Sequence, residues 1–242
     1  MTVALKFPRQ HLKYMKTIRN RKGCDLKLQG APNDDLVSLS APFTVAVLPE
    51  RIPFIKPRLR IKAGDPVQVG SLLYEDKTDP RIRFVSPGGG KVADIVFGPR
   101  RVIREIVIQL DREESFATFP RLTTDEIERI EREELVSRLL EGGIWPFFRE
   151  LPYRKIADPD VEPPAIMVVL DGREPFQPNP ERYLNDETRP LIQYGLKALR
   201  RLSDRVLVYT DPRLSDLCRT FKAELTHTIA GHYPADDPGV LL

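Results

Sequence analysis

The sequence predicts a mixed α+β protein in two parts. An N-terminal β module of the biotinyl/lipoyl, or barrel-sandwich hybrid, type precedes an α/β unit with a parallel sheet. Three observations predict this. Gly64-Asp65 and Gly70, then Leu72-Leu73-Tyr74-Glu75-Asp76-Lys77, then Val85-Ser86-Pro87-Gly88-Gly89-Gly90 alternate short apolar strands with glycine and Ser-Pro turns, as a half-barrel does. From residue 165 onward, continuous apolar runs alternate with helical patterns, which suits strands buried on both faces of a parallel sheet. Twenty-three prolines in 242 residues favour extended connections over long helices.

Residues 1–43 read as an irregular N-terminal segment, with a turn at Gly23 and a loop from Gly30 to Asp34. Lys6, Arg9, Lys13, Lys16, Arg19, Arg21 and Lys22 all precede the first acid, Asp25. A frayed, solvated terminus is favoured over an arm on anionic lipid or an acidic partner, because Leu12, Met15 and Ile18 make a weak apolar stripe. Residues 44–111 form the β module, with strands at 44–48, 59–61, 72–74, 83–85, 91–97 and 103–110.

Residues 112–164 are a helix and linker. Thr123 and Glu126 make a capping box, Ile127, Ile130, Leu135, Leu139 and Leu140 an apolar face, and Gly142-Gly143 a stop. The bulky run Ile144-Trp145-Pro146-Phe147-Phe148 follows. Buried packing between the two modules is favoured for it over an exposed quinone or partner contact by Trp145, Phe147 and Phe148. Residues 165–242 are the α/β domain. Its expected elements are a strand at 165–170, a helix at 188–202, a strand at 205–209, a short helix at 212–220 and a strand at 223–229. Leu191, Tyr194, Ala198, Leu199 and Leu202 line one side of the longer helix. The loop-like residues after Gly231 make this domain read as incomplete, a natural short homologue or a truncated chain.

Composition narrows the function classes. A net charge of +3 gives no case for nucleic acid, and no apolar run reaches a membrane span. Cys24 and Cys218 belong to no Cys-x-x-Cys pair, so these residues hold no self-contained iron–sulfur or zinc site and read as inert thiols. Dinucleotide binding needs a glycine-rich turn after the first strand. Here Leu170 is followed by Asp171-Gly172-Arg173-Glu174-Pro175-Phe176, with one glycine, and no P-loop exists. Gly88-Gly89-Gly90 leads into a strand and reads as a tight turn. The three histidines, His11, His227 and His232, form no nucleophilic constellation, with His227 expected to be structural and His232 exposed. Glu133-Glu134 falls on a solvated helix face.

Lys77 poses the sharper question. A swinging-arm carrier modifies a lysine at the tip of a tight hairpin, and Glu75-Asp76-Lys77 resembles a lipoyl tip. However, Thr78-Asp79-Pro80-Arg81-Ile82-Arg83 intervenes before the Ser-Pro turn, and the methionines that flank a biotinylated lysine are missing. A structural lysine is favoured.

Several segments together resemble one family. They are Ile18 to Pro32, Phe54 to Asp65, Leu73 to Lys77 with Arg83 to Pro87, Gly142 to Tyr153, Asp171 to Phe176 and Gly231 to Ala235. In order along the chain these are similar to the NqrA family, the A component of the Na+-translocating NADH:quinone oxidoreductase, whose members are considerably longer. The resemblance implies a barrel-sandwich hybrid followed by an α/β domain similar to the complex I flavoprotein fold, without its cofactor. It implies a cofactor-free piece docked peripherally on the cytoplasmic face of the bacterial inner membrane with sister subunits, which carry the flavins and iron. It implies a piece that supports electron transfer from NADH to quinone coupled to sodium export, with no catalytic site of its own and with ubiquinone at its surface or boundary. Two alternatives stand beside this reading. One is an Rnf-type NADH/flavin electron-transfer subunit, sharing the architecture of the Rnf complex's C component. The other is a lipoyl- or biotin-carrier protein using Lys77.

Overall fold

The computed structural model describes residues 16–241 apart from 31, 34, 36, 171 and 173. His11 and the basic residues Lys6, Arg9 and Lys13 lie outside the described residues, as do Leu12 and Met15. In chain order the first strands are β1 (Lys16–Asn20), β2 (Thr44–Val47), β3 (Pro57–Leu59), β4 (Pro66–Val67), β5 (Leu72–Asp76), β6 (Arg83–Val85), β7 (Gly90–Phe97) and β8 (Ile103–Leu110). Helices α1 (Thr124–Arg129) and α2 (Arg132–Glu141) follow, then the two-residue strands β9 (Arg149–Glu150) and β10 (Lys155–Ile156). The chain continues through β11 (Ile166–Val169), α3 (Arg189–Leu202), β12 (Val206–Thr210), α4 (Ser215–Thr220), β13 (His227–Gly231) and α5 (Pro238–Leu241).

Contacts gather the chain into two units: residues 37–162, and residues 1–36 together with 163–242. The first is the barrel-sandwich hybrid. An antiparallel sheet of order β2-β8-β7-β4 and a second of order β3-β5-β6 make it. Alternation buries Ile106 and Ile108 and exposes Gln109 on β8, while the irregular register at its start, Ile103 opposite Phe97 and Glu105 opposite Val96, buries Ile103 and leaves Arg104 exposed. The core joins these to Val67, Leu73, Tyr74, Phe84 and Val92. The Tyr74 and Phe84 rings lie parallel with centroids 4.4 Å apart. The Tyr74 hydroxyl finds no hydrogen-bond partner among the described residues, and burial pushes its pKa well above 10.0.

The Ser-Pro turn before β7 is built on close approaches. The buried Ser86 hydroxyl donates to the Gly88 carbonyl at 2.6 Å, and the Gly89 amide donates to Glu114 at 3.1 Å. At Gly90, φ is +153°, and a Cβ would meet the Gln109 carbonyl oxygen far inside van der Waals contact. Only glycine fits there.

The linker differs from the single helix expected. Thr123 caps α1 with both halves of the capping box in place, but Ile130 turns extended (ψ 139°) and α2 starts anew. The break lets Ile127 and Ile130 bury alongside Leu135, Val136 and Leu140. α2 ends in a Schellman turn: Gly143 has φ +69°, its amide donates to Leu140, and the Ile144 amide donates to Leu139. A Cβ at Gly143 would strike Val85.

The second unit carries a four-stranded parallel sheet of order β1-β13-β12-β11. Val206 and Val208 face a core with Leu196, Leu217 and Phe221, while Leu207 and Tyr209 face a second core with Ile18, Met167 and Ile229. Strands buried on both faces are why they read as continuous apolar runs. β1 is the main departure from expectation, since the N-terminal segment reads as irregular in sequence. Its five residues pair in register with β13, from Lys16 against His227 to Asn20 against Gly231. Ile18 enters the core, and Thr17 and Thr228 hydroxyls meet at 2.9 Å. Helix α3 keeps part of its expected face: Leu199 packs on the core and Leu202 is buried. Ile192 and Leu196 join them, while Leu191 is 73% exposed. Residues 223–226 are not yet strand, and β13 begins at His227.

Thermal unfolding of two variants tests this account of the core. Gly90→Ala loses about 3 kcal/mol, because a Cβ is both overpacked and held at positive φ. Tyr74→Phe is neutral or gains up to about 1 kcal/mol, since it deletes a buried hydroxyl without a protein partner. A clear loss in Tyr74→Phe contradicts the account.

Candidate functional site

The turn that would carry a modified lysine is built from the residues that imitate a carrier motif. Glu75 is buried and takes guanidinium hydrogen bonds from Arg60, at 2.8 Å, and from Arg58. These hold its carboxyl below the ordinary carboxylate value, Arg60 most of all. Asp76, also buried, accepts from the amides of Lys56 (3.1 Å) and Thr78 (3.0 Å). Lys77 is exposed, yet its own amide donates to the Lys56 carbonyl at 2.8 Å, so its backbone is still paired along the β3 side. The turn then runs on through Asp79 to Arg81. Arg81 pairs with both Asp160 and Asp79, which keep it charged above its ordinary pKa. Lys77 therefore leaves a broad, pinned turn and not the tip of a tight hairpin.

A cleft of about 570 Å³ opens beside this turn, against α2. Arg81, Arg83 and Arg132 line it with Glu133, Glu141 and Asp160, over a floor that includes Val136 and Leu140. Its charges balance, and Arg132 spends one guanidinium nitrogen on the carbonyls of Pro159 and Val161.

The bulky run after α2 splits by function. Trp145 is 3% exposed; its indole N–H donates to the Ala157 carbonyl at 2.8 Å, and its ring tilts against Phe148 at 5.1 Å. Phe148 is half-buried, and its carbonyl accepts from the Ala157 amide at 3.0 Å. Trp145 and Phe148 thus anchor the β9/β10 hairpin within the 37–162 unit. Phe147 is 80% exposed, as are the neighbouring Ile144 and Tyr153 to a lesser degree. The three sequence candidates are adjacent, but only Phe147 presents its ring to solvent. Tyr153 escapes sequence reasoning; its place at the turn of a two-residue hairpin after Pro152 is the available signal.

In the α/β unit, a ligand of a parallel sheet sits outside the carboxyl ends of the strands. Here the loops after β1 and β13 close on each other. The Asp25 carboxylate accepts from the Tyr233 amide at 2.9 Å and lies 2.7 Å from His232 Nδ1. The His232 bond and then the Tyr233 amide lower the Asp25 pKa. Cys24 donates its amide to the Tyr233 carbonyl at 3.0 Å. Gly23 (φ +139°) permits the approach, because a Cβ there would meet that same carbonyl at 2.5 Å. After β12, the buried Asp211 is forked by Arg213 at 2.7 and 2.9 Å. The Tyr233 amide and the Arg213 guanidinium, two donors at this edge, thus serve the chain's own carboxylates. Among the described residues, no group of three or more His, Cys, Asp or Glu side chains could hold a metal ion.

His227 is half-buried, stacks on Tyr209 with centroids 5.1 Å apart and bonds the Thr226 hydroxyl through Nδ1 at 2.9 Å. Burial, then Lys16 and Arg205, lower its pKa below 6.5.

Two family models match the chain. One, described as the NqrA N-terminal barrel-sandwich hybrid domain, matches residues 18–111, and the other, the NqrA second alpha/beta domain, matches residues 130–242. Among curated proteins, the A component of the Na(+)-translocating NADH-quinone reductase of Pseudomonas aeruginosa (strain UCBPP-PA14) is 29% identical over 222 residues, 92% of this chain and 49% of the relative. The protein of that name from Marinomonas sp. (strain MWYL1) is 33% identical over 183 residues, 76% of this chain and 41% of the relative. That from Neisseria meningitidis serogroup C is 30% identical over 219 residues, 90% of this chain and 48% of the relative. The chain spans about half the length of the curated relatives it matches.

The His227 environment gives a signed pH dependence. A lowered folded pKa means the native state takes up the proton less readily than the unfolded chain. The stability it contributes is complete above 6.5 and is lost as pH falls through the folded value. The His227 ring resonance should titrate with a midpoint below 6.5 by NMR, and His227→Gln should flatten the stability profile between neutral and mildly acidic pH. A midpoint above 6.5 would contradict the assignment.

Proposed function

The chain belongs to the NqrA family, and from that premise we propose that it serves as a subunit of a Na+-translocating NADH:quinone reductase complex. In this reading it is a cofactor-free scaffold: flavins and iron sit on sister subunits, and electrons pass from NADH to quinone without residing on this chain. The observation that carries the reading is that both family segments run through the chain in order, over residues 18–111 and 130–242. The Tyr233 amide bound to Asp25 at the carboxyl edge of the sheet and the pinned turn at Lys77 support it, because a phosphate site needs such amides open and a swinging arm needs a tight hairpin tip.

Peripheral attachment at the cytoplasmic face of the bacterial inner membrane is part of the proposal. No helix among the described residues is long and apolar enough to cross a membrane. Exposed Phe147, backed by the buried Trp145 and half-buried Phe148, is the proposed contact for a quinone or a sister subunit. A planar apolar ring held on a stiff turn suits a flat, apolar ligand.

Affinity isolation of the tagged protein from native membranes tests the reading. The expected result is co-purification of sister subunits with NADH:quinone activity. Phe147→Ala should lower labelling of this chain by a photoreactive quinone, or its retention of sister subunits, several-fold; no change in either would contradict the proposed contact. Protein that co-purifies with no membrane complex would overturn the proposal.

A further inference from the structure

The hairpin joining β7 and β8 has an unusual tip. Gly98 donates its amide to Val102 at 2.8 Å and Val102 donates to Pro99 at 3.2 Å, closing a two-residue turn on Arg100 and Arg101. Both arginines have positive φ, +56° and +59°. Such turns normally carry Asn-Gly, because a side chain at positive φ is strained. Here the strained positions hold two long cations. Phe97 and Val102 flank them, each about half exposed, and the Arg101 guanidinium lies 5.8 Å from the Phe97 ring centroid.

More positive charge gathers at this end of the unit. β2 runs antiparallel to β8 with Val47 opposite Ile106, so the turn Pro49–Arg51 that follows β2 lies beside the start of β8. Glu50 reaches Arg104 at 3.7 Å. That leaves the guanidinium groups of Arg51, Arg100 and Arg101 without an ion pair among the described residues. Glu105, opposite Val96, is the next acid inward.

We propose that this hairpin tip docks on anionic phospholipid headgroups. Guanidinium groups match phosphate oxygens, and Phe97 and Val102 match the boundary between headgroup and acyl chain. A convex tip of six residues suits a fluid bilayer surface. A stable protein partner would need roughly 800 Å² on each side. The inference stands on the geometry of the tip and holds whether or not the chain serves in the reductase complex.

Co-sedimentation of the full chain with vesicles tests it, using phosphatidylcholine alone and phosphatidylcholine mixed with phosphatidylglycerol. The informative variant is Arg100→Asn with Arg101→Gly, which removes two charges while supplying the residues the turn prefers. A control replaces Lys6, Arg9 and Lys13 with Gln. The unaltered chain and the control should sediment with the anionic vesicles and not with phosphatidylcholine alone. The hairpin variant should bind about 30-fold more weakly, the effect of two basic residues at an anionic surface, with a melting temperature unchanged or higher. Equal binding by the hairpin variant, loss of binding in the control alone, or capture of an acidic protein without vesicle binding would overturn the proposal.

Discussion

The parallel pairing of β1 with β13 is the constraint on which the α/β unit rests. Parallel neighbours cannot be joined by a tight turn, so the connection must leave the sheet and return. Here the connection includes the whole 37–162 unit, and the two strands meet across more than 200 residues of sequence. The pairing is secured past its last register position, Asn20 against Gly231, by the glycine approach at Gly23 and the Asp25 carboxylate on the Tyr233 amide. The β unit is therefore an insertion between the first and later strands of one sheet. Within that unit, Tyr74, Phe84, Val92, Ile106 and Ile108 are buried.

Features fixed by neighbouring residues were legible in the sequence. The capping box of Thr123 and Glu126, the Gly142-Gly143 stop, the Ser-Pro turn and the β hairpins all depend on contacts within a few positions. What escaped was set at a distance. Lys16-Thr17-Ile18-Arg19-Asn20 is a polar edge strand with one core residue, and nothing near it in sequence announces β13. Leu191 and Ile192 both fit an amphipathic helix, and only the position of the sheet selects Ile192. The break at Ile130 likewise serves burial on both sides of it.

The candidate site divides the same way. The bulky run at residues 144–148 stands out by composition, but which ring is buried depends on Ala157, whose carbonyl accepts the Trp145 indole N–H. Glu75-Asp76-Lys77 looks like chemistry because its partners are elsewhere: Arg58 and Arg60 on or beside β3 neutralise the glutamate, and the Lys56 amide meets the aspartate. A motif that in a carrier shapes a hairpin for a modifying enzyme here serves the turn itself. Asp25 and His232 are both visible in the sequence, and their meeting is not.

A common physical pattern underlies the proposed scaffold role. Carboxylates of the chain take up donors where each fold type would otherwise offer a functional group, Asp25 at the carboxyl edge of the sheet and Asp76 at the turn. Titration of FMN and NADH against the purified chain, followed by calorimetry, tests this most directly. The account predicts no saturable heat with either nucleotide. Stoichiometric binding of either one would contradict it.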